Sequence, residues 1–140
     1  MKANELMIGD WVKYTKKRDQ YFQVIENPKT IYIRIENIIE EGVNEECRQG
    51  DSEWKEYDEI EPIPLTEEIL KANGFARKPL LKSWTIDGEL ELIEDSMGNT
   101  KLEYWFSVSD QYICPIHHVH ELQNALRLCG LDELADNFKL

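Results

Sequence analysis

Cysteines are few in this sequence, and a long apolar run is absent. The 140 residues include only three cysteines, Cys47, Cys114 and Cys129. An odd and small number of cysteines does not fit a dense disulfide framework, so we expect reduced thiols. No stretch approaches the roughly 20 apolar residues that cross a bilayer. The opening MKANELMIGDW also lacks the apolar core of a secretory signal. These features predict a cytoplasmic protein that has no membrane segment.

Basic residues are also scarce. The chain has 16 Lys and Arg residues against 28 Asp and Glu residues, which gives a formal net charge of -12. A protein that coats nucleic acid needs a basic face to neutralise phosphates, so we expect little binding to duplex DNA. The acidic excess is concentrated in residues 40–61, which hold ten acidic and two basic residues.

The sequence motifs of common enzymes are missing as well. The chain contains no G-x-S-x-G, no glycine loop that could cradle phosphates and no H-E-x-x-H. Adjacent acidic pairs such as Glu40-Glu41 are typical of a solvated surface and do not form a placed acid and base. The sequence therefore predicts a protein that is not an enzyme, with no catalytic residue, no metal and no cofactor.

The length of the chain fits one compact unit over 1–140, with sub-parts 1–61 and 62–140. In the first sub-part, β-branched and aromatic residues follow the two-residue period of strands at 11–14, 21–25 and 31–35. The polar segment TKKRDQ predicts a hairpin connection between the first two strands. Weaker strand patterns lie at 42–43 and 54–57. Five short strands in about 60 residues predict a small bent β-barrel, Src-homology-3-like in form.

The segment EPIP at 61–64 marks the boundary between the two sub-parts. Proline has no backbone N–H to donate, so this segment cannot be a central strand. Directly after it, Thr66 is suited to cap a helix. Gly74 is suited to end that helix in the left-handed conformation, with Phe75 folding back onto Leu70. The expected fold class is therefore α+β.

Alternation returns after the helix and predicts an antiparallel meander of four strands, the last of which ends at Pro115. A C-terminal helix follows, because apolar residues recur at helical spacing up to Gly130. The stripe consists of Val119, Leu122, Leu126 and Cys129. A last turn over 132–138 is expected to pack back on this helix.

Three sequence blocks carry a resemblance to a known family. They are MKANEL with IGDWV near the start, IEPIPLTEEIL with NGF in the middle, and VHELQN near the end. In these blocks the chain resembles a family of small proteins of gut anaerobic bacteria, their phages and their conjugative elements. The resemblance implies a mobile-element or phage context. It carries over no established activity, substrate or cofactor.

All three histidines lie in the segment PIHHVHELQ, which raises the alternative of a metal site. Thiolate and imidazole are the ligands that zinc prefers, and the set would be Cys114, His117 and His120, with Cys129 or His118 as the fourth ligand. The spacing matches no known finger, so we favour a structural interpretation in which His120 lies on the first turn of the last helix. Cys114 near His117 also raises the alternative of a thiol enzyme, which needs an open and electropositive cysteine.

Binding functions remain, and two surfaces are candidates. Trp54 and Tyr57 lie among acidic residues, including Glu53 and Glu56, and predict a surface for a protein partner. Trp54 and Tyr57 should face opposite sides of a strand, so that one aromatic points outward. The acidic segment 40–61 could alternatively imitate the phosphate backbone of DNA.

The second candidate surface is the one basic cluster of the first sub-part. Lys13, Lys16, Lys17 and Arg18 could contact nucleic acid, with Tyr14 and Tyr21 available for stacking. A solvated turn is the favoured explanation of the same cluster, because four basic residues on an acidic protein give only a local field. The sequence identifies neither a partner nor an oligomeric state.

Overall fold

Two antiparallel sheets and three α-helices make up the part of the chain that the structure describes. The structure is a computed structural model and describes residues 5–28, 32–37, 52–86, 90–95, 103–108 and 111–140. The chain divides into two compact units, Met1–Ile63 and Pro64–Leu140, with the division inside the predicted EPIP boundary. The expected α+β class is confirmed, whereas a single compact unit over 1–140 stays a prediction.

The first unit is built on a five-stranded antiparallel sheet of order β4-β3-β2-β1-β5. Its strands are β1 Trp11–Tyr14, β2 Lys17–Glu26, β3 Tyr32–Asn37, β4 Ser52–Glu56 and β5 Ile60–Glu61. A 3₁₀ turn, Tyr57–Glu59, joins β4 to β5. Among the described residues, β4 and β5 are the two edges of the sheet and no pairing joins them, so the sheet is not a closed barrel.

Alternating side chains of these strands form the core of the first unit. Val12 and Val24 are fully buried, and each lies on a strand whose neighbouring residues are more exposed, as the two-residue period requires. The core cluster comprises Leu6, Val12, Tyr14, Phe22, Val24, Ile35, Tyr57 and Ile60. The aromatic rings of Tyr14 and Phe22 meet edge to face at 6.3 Å, a favourable aromatic geometry.

The predicted hairpin between the first two strands is confirmed, but its connection is shorter than the segment TKKRDQ. β2 already begins at Lys17, so the turn consists of Thr15 and Lys16. The register slips between Lys13 and Tyr14, which pair with Tyr21 and Lys17, and this irregularity accommodates the extra residues of β2. The predicted strand at 42–43 lies outside the described residues.

The second unit contains another five-stranded antiparallel sheet, of order β10-β9-β8-β7-β6. Its strands are β6 Ala76–Lys78, β7 Ser83–Ile86, β8 Leu90–Asp95, β9 Glu103–Val108 and β10 Gln111–Ile116. The helices are α1 Glu67–Ala72, α2 Val119–Leu128 and α3 Asp132–Asp136. The predicted meander and terminal helix are therefore confirmed.

Buried side chains of this sheet and of the helices form the core of the second unit. Trp84, Leu92 and Phe106 are at most 2% exposed and align across β7, β8 and β9 in the strand register. From α2, the predicted stripe residues Val119, Leu122 and Leu126 are fully buried. Burial of apolar side chains at these positions is the main stabilising contribution in this unit.

Hydrogen bonds from buried amides hold the C-terminal segment in place. The Asn73 side chain donates to the Lys139 carbonyl at 2.7 Å and accepts from the Lys139 amide at 2.7 Å. Gln123, which is fully buried, donates to the Ala135 carbonyl at 3.0 Å. These bonds satisfy buried polar groups and fix α3 and the chain end, with Phe138 buried.

Two sequence-based expectations for this unit are wrong. β10 continues through Pro115 to Ile116, because β10 is an edge strand of the described sheet and an edge position tolerates the missing donor of proline. Cys129 was placed on the buried stripe but is exposed, since α2 ends at Leu128 and Cys129 is its C-cap.

The sequence analysis also missed the strand β6, because its three residues are all exposed and show no alternation of apolar and polar residues.

Both ends of α1 follow the predicted capping chemistry. The Thr66 hydroxyl accepts from the Ile69 amide at 3.3 Å. Gly74 has φ +85°, and the Phe75 amide donates to the Leu70 carbonyl at 3.1 Å, which completes a Schellman stop. A Cβ at Gly74 would meet only Ile86 Cδ1, at 3.9 Å, so the need for glycine is conformational and not steric.

We expect Thr66→Ala to lower the free energy of unfolding by about 1 kcal/mol through loss of the cap. Gly74→Ala should lower it by about 1–2 kcal/mol because alanine resists the left-handed conformation, whereas Gly74→Asn should cost less since Asn tolerates it. Denaturant unfolding of the three variants measures these differences. Equal stability of Gly74→Ala and the parent would contradict the assigned helix stop.

Candidate functional site

The junction of β10 and α2 contains the histidines that raised the question of a metal site. His118 occupies the N-cap position of α2, and its Nδ1 lies 2.6 Å from Oε1 of Glu121. The His118 ring stacks on that of His120 at 5.8 Å, and His120 is 4% exposed. His117 is exposed, and its carbonyl accepts from the Leu65 amide at 3.1 Å. The histidines thus make structural contacts at the beginning of a helix.

The proposed zinc ligands do not assemble around one point. Among the described residues, no three His, Cys, Asp or Glu side chains are grouped in a way that could hold a metal ion. Cys129 lies at the opposite end of α2 from His118, and a helix of ten residues is about 15 Å long. His118 is instead engaged with Glu121, a contact that the three-residue spacing would have predicted.

The chemistry of Cys114 does not suit a nucleophile. Burial and, to a lesser degree, the nearby Glu121 carboxylate raise the pKa of the Cys114 thiol. A reactive cysteine needs the opposite, a pKa lowered by positive charge. Cys114 and Cys129 are both free thiols, and burial also raises the pKa of Cys129.

The two aromatic residues of the predicted partner surface have different environments. Trp54 is 51% exposed, on β4 opposite Arg34 of β3. Tyr57 is 7% exposed, its hydroxyl donates to Asn27 Oδ1, and burial raises its pKa. The expectation that one aromatic faces outward is confirmed. Tyr57 cannot contribute to a partner surface, because β4 ends at Glu56 and the 3₁₀ turn directs the next side chain into the core.

Acidic side chains follow Trp54 along the chain. Glu56 and Asp58 are exposed, and the backbone amide of Glu56 donates to Glu59 Oε2 at 3.2 Å. Glu53 lies on β4 opposite Ile35 in the strand register. Glu56 and Asp58 are thus exposed acidic residues within four positions of Trp54 in the sequence.

Two lysines of the basic cluster contact other side chains of the first unit. The Lys13 Nζ lies over the Tyr21 ring at 5.8 Å. The Lys16 Nζ lies 3.8 Å from Glu59 Oε1, and Lys17 and Arg18 are the first two residues of β2. Lys13 and Lys16 are therefore both in contact with side chains of the first unit.

The aromatic side chains that were expected to stack on bases are also engaged. Tyr14 is 5% exposed, so it is not available to a ligand. Its hydroxyl accepts from Lys55 Nζ at 3.2 Å, and the same Nζ lies 4.4 Å from the ring centroid. Tyr21 is 39% exposed and carries Lys13 over its ring.

A cluster that the sequence analysis did not identify lies at the β6 edge of the second sheet. The Glu94 carboxylate accepts from Trp84 Nε1 at 2.8 Å and from Arg77 Nε at 3.1 Å and Nη2 at 3.3 Å. The Arg77 hydrogen bond is the main cause that holds the pKa of Glu94 below its usual value. Opposite Glu94 on β9, burial raises the pKa of Tyr104 to about 12, so its hydroxyl stays protonated. These contacts are structural and join β6, β7 and β8.

We expect the stabilising effect of Glu94 to depend on pH. The pKa of the Glu94 carboxyl is lower in the folded protein than in the unfolded chain, where it is about 4.3. The ionised carboxylate therefore stabilises the fold when the pH is above the unfolded pKa, and this stabilisation is lost as the pH falls through the folded pKa. Glu94→Gln should therefore lower the denaturation midpoint at pH 7, and the difference from the parent should narrow below pH ~4. Glu91→Gln, on the opposite face of β8, is the matched control. A difference that is constant with pH would contradict the ion pair.

Cys114 should react slowly with thiol reagents. Because its pKa is raised, we expect labelling near pH 7 to be slower than that of glutathione and to accelerate as the pH is increased. Glu121→Gln removes one cause of the raised pKa and should increase the rate. Mass spectrometry of the labelled peptides separates Cys114 from the exposed Cys129. Labelling of Cys114 much faster than glutathione at neutral pH would show an activated thiol and contradict this assignment.

In the part of the chain that the structure describes, no helix is both long enough and apolar enough to span a bilayer. Comparison of the chain with protein-family models, curated proteins and solved structures finds no match. Any proposal about function therefore has to be argued from the side chains of the chain and their contacts.

Proposed function

We propose that the chain is a non-enzymatic binding protein that engages a protein partner through the surface around Trp54. The observation that carries this proposal is the exposure of Trp54, 51%, in a regular strand. Tryptophan is the residue type most enriched among side chains that dominate binding energy. The exposed acidic neighbours Glu56 and Asp58 favour a partner with basic residues around an apolar site.

The backbone beneath Trp54 supports this role. β4 pairs with β3 through five consecutive residue pairs, from Tyr32 opposite Glu56 to Glu36 opposite Ser52. The strand is followed at once by the buried Tyr57. Trp54 is therefore presented on ordered backbone, and little conformational entropy is lost when a partner binds.

We propose that the first unit is a bent barrel of Src-homology-3-like form, which among the described residues is not closed between β4 and β5. The strand order β4-β3-β2-β1-β5 and the 3₁₀ turn between β4 and β5 support this form. The contact of Lys55 on β4 with Tyr14 on β1 supports it further, because these strands are not neighbours in the sheet. A sheet must curl for such side chains to meet.

The alternatives from the sequence have less support. A metal or thiol enzyme at 114–120 would need converging ligands or an activated cysteine, and the contacts of His118 and the raised pKa of Cys114 oppose both. Stoichiometric zinc in protein purified without a histidine tag would revive this alternative. Nucleic-acid contact through Lys13 and Lys16 is opposed by their contacts with Tyr21 and Glu59. Imitation of DNA by residues 40–61 depends for five of its ten acidic residues on the range 40–51, which lies outside the described residues.

The cellular setting is proposed from the sequence. The MKANEL, IEPIPLTEEIL and VHELQN blocks support a mobile-element or phage context, in which an accessory protein of this size would act on a protein of the host. The free thiols Cys114 and Cys129 support a reducing compartment such as the cytoplasm.

Trp54→Ala tests the proposed surface. Because Trp54 is half exposed, the variant should unfold at nearly the same denaturant concentration as the parent, whereas a core tryptophan replaced by alanine costs about 3–5 kcal/mol. Affinity capture from the host, with the captured protein then purified and titrated, should show at least about tenfold weaker binding of the variant.

Tyr21→Ala is the matched control, since Tyr21 is an exposed aromatic of the same unit and is 39% exposed. It should bind the purified partner as the parent does. Equal binding by Trp54→Ala and the parent would refute the proposed surface. Unfolding of Trp54→Ala would show that the indole stabilises the fold.

A further inference from the structure

The turn between β6 and β7 exposes two adjacent leucines. Leu80 is 98% exposed and Leu81 is 63% exposed, and they lie between Pro79 and Lys82. Single exposed apolar residues are ordinary, but two neighbouring large ones at a convex turn form a local apolar surface. We call residues 78–82 the leucine tip.

The backbone of the leucine tip is held in one conformation. The Leu81 amide donates to the Lys78 carbonyl at 3.2 Å, and the Lys82 amide donates to the Pro79 carbonyl at 3.3 Å, which gives two overlapping turns. Lys82 has φ +47°, a left-handed conformation that costs a non-glycine residue energy. The Lys82 carbonyl accepts from the Glu94 amide at 2.8 Å, which anchors the turn to β8. Strain of this kind is often found where a side chain must be presented to a ligand.

The charge around the leucine tip is opposite to that of the chain. Lys78 and Lys82 flank the leucines and are both exposed, and residues 76–82 contain no acidic residue, in a chain of net charge -12. Arg77, directly before the tip, is bound to Glu94. The tip therefore combines apolar side chains with a local positive field.

We propose that the leucine tip is a docking element that inserts Leu80 and Leu81 into an apolar pocket bordered by carboxylates on a protein partner. The convex shape of the turn fits a concave pocket, and the lysines at its two sides fit an acidic border. The ordered backbone lowers the entropic cost of binding. This inference does not rest on the proposed role of Trp54, since it concerns the other unit and the opposite charge.

Two other occupants fit the same observations less well. An anionic bilayer presents negative charge as an extended plane, which would repel a chain of net charge -12, whereas an acidic pocket border interacts only with charges within about 8 Å. A second copy of the chain in a two-fold contact would bring the same lysines together, and like charges oppose this. A protein pocket is therefore the occupant that the charges favour.

The test begins with the full chain carrying a photo-crosslinking residue at position 80, with position 128 as the matched control. Leu128 is also exposed, at 83%, but lies at the end of α2 and has no lysine beside it in the sequence. Crosslinking in host lysate should give an adduct at position 80 that is absent at position 128. The adducted protein is then purified and titrated against four forms of the chain: the parent, Leu80→Ser/Leu81→Ser, Lys78→Glu/Lys82→Glu and Trp54→Ala.

We expect the leucine variant to bind the purified partner at least about 30-fold more weakly, with unchanged stability because both side chains are exposed. The charge-reversed variant should bind more weakly at low salt, and its difference from the parent should shrink as salt is added. Trp54→Ala should bind as the parent does, which separates this proposal from that of the first unit.

Several outcomes would overturn the proposal. One is equal binding by the leucine variant and the parent, and another is the absence of an adduct specific to position 80. Adducts formed only between copies of the chain would show self-association. Recruitment of the parent, but not of the leucine variant, to vesicles of three parts phosphatidylcholine and one part phosphatidylglycerol would show that a membrane is the occupant.

Discussion

The carboxylate of Glu94 is the group on which the β6 edge of the second sheet depends. It lies on β8, accepts hydrogen bonds from Trp84 on β7 and Arg77 on β6, and so joins three consecutive strands. β6 has three exposed residues, which bury too little apolar area to hold a strand in place by themselves. The amide of Glu94 also anchors the Lys82 carbonyl. One residue thus fixes both the edge strand and the turn that presents the leucines.

The sequence predicted those parts of the fold that local chemistry determines. Thr66 and Gly74 set the ends of α1 within the reach of a few residues, so their roles follow from side-chain type and spacing. The alternation of Leu90 and Leu92 places both in the core for the same reason, because the two-residue period fixes which face they share. His118 and Glu121 are three residues apart on α2, so their contact could have been predicted.

Features that depend on distant parts of the chain were not predictable. Tyr57 is buried because a 3₁₀ turn interrupts the strand period, which the alternation of β4 does not reveal. Pro115 is tolerated because β10 is an edge, and strand order is set by the whole sheet. Arg77 and Glu94 are 17 residues apart in sequence and meet only through the registers of two hairpins.

We propose binding in preference to catalysis because of where the candidate side chains lie in the described part of the chain. Catalysis needs groups that converge on one point, whereas Cys114 and Cys129 lie at different ends of the β10–α2 region and His118 is engaged with Glu121. Trp54 and Leu80 instead project from ordered backbone, one followed by acidic residues and the other flanked by lysines. Charge steers the encounter between two proteins, and burial of apolar side chains holds the complex together. The acidic surface around Trp54 would therefore suit a basic partner, and the basic surface around Leu80 would suit an acidic one. Under the two proposals each surface would take a partner of its own, which fits the proposed role of an accessory binding protein.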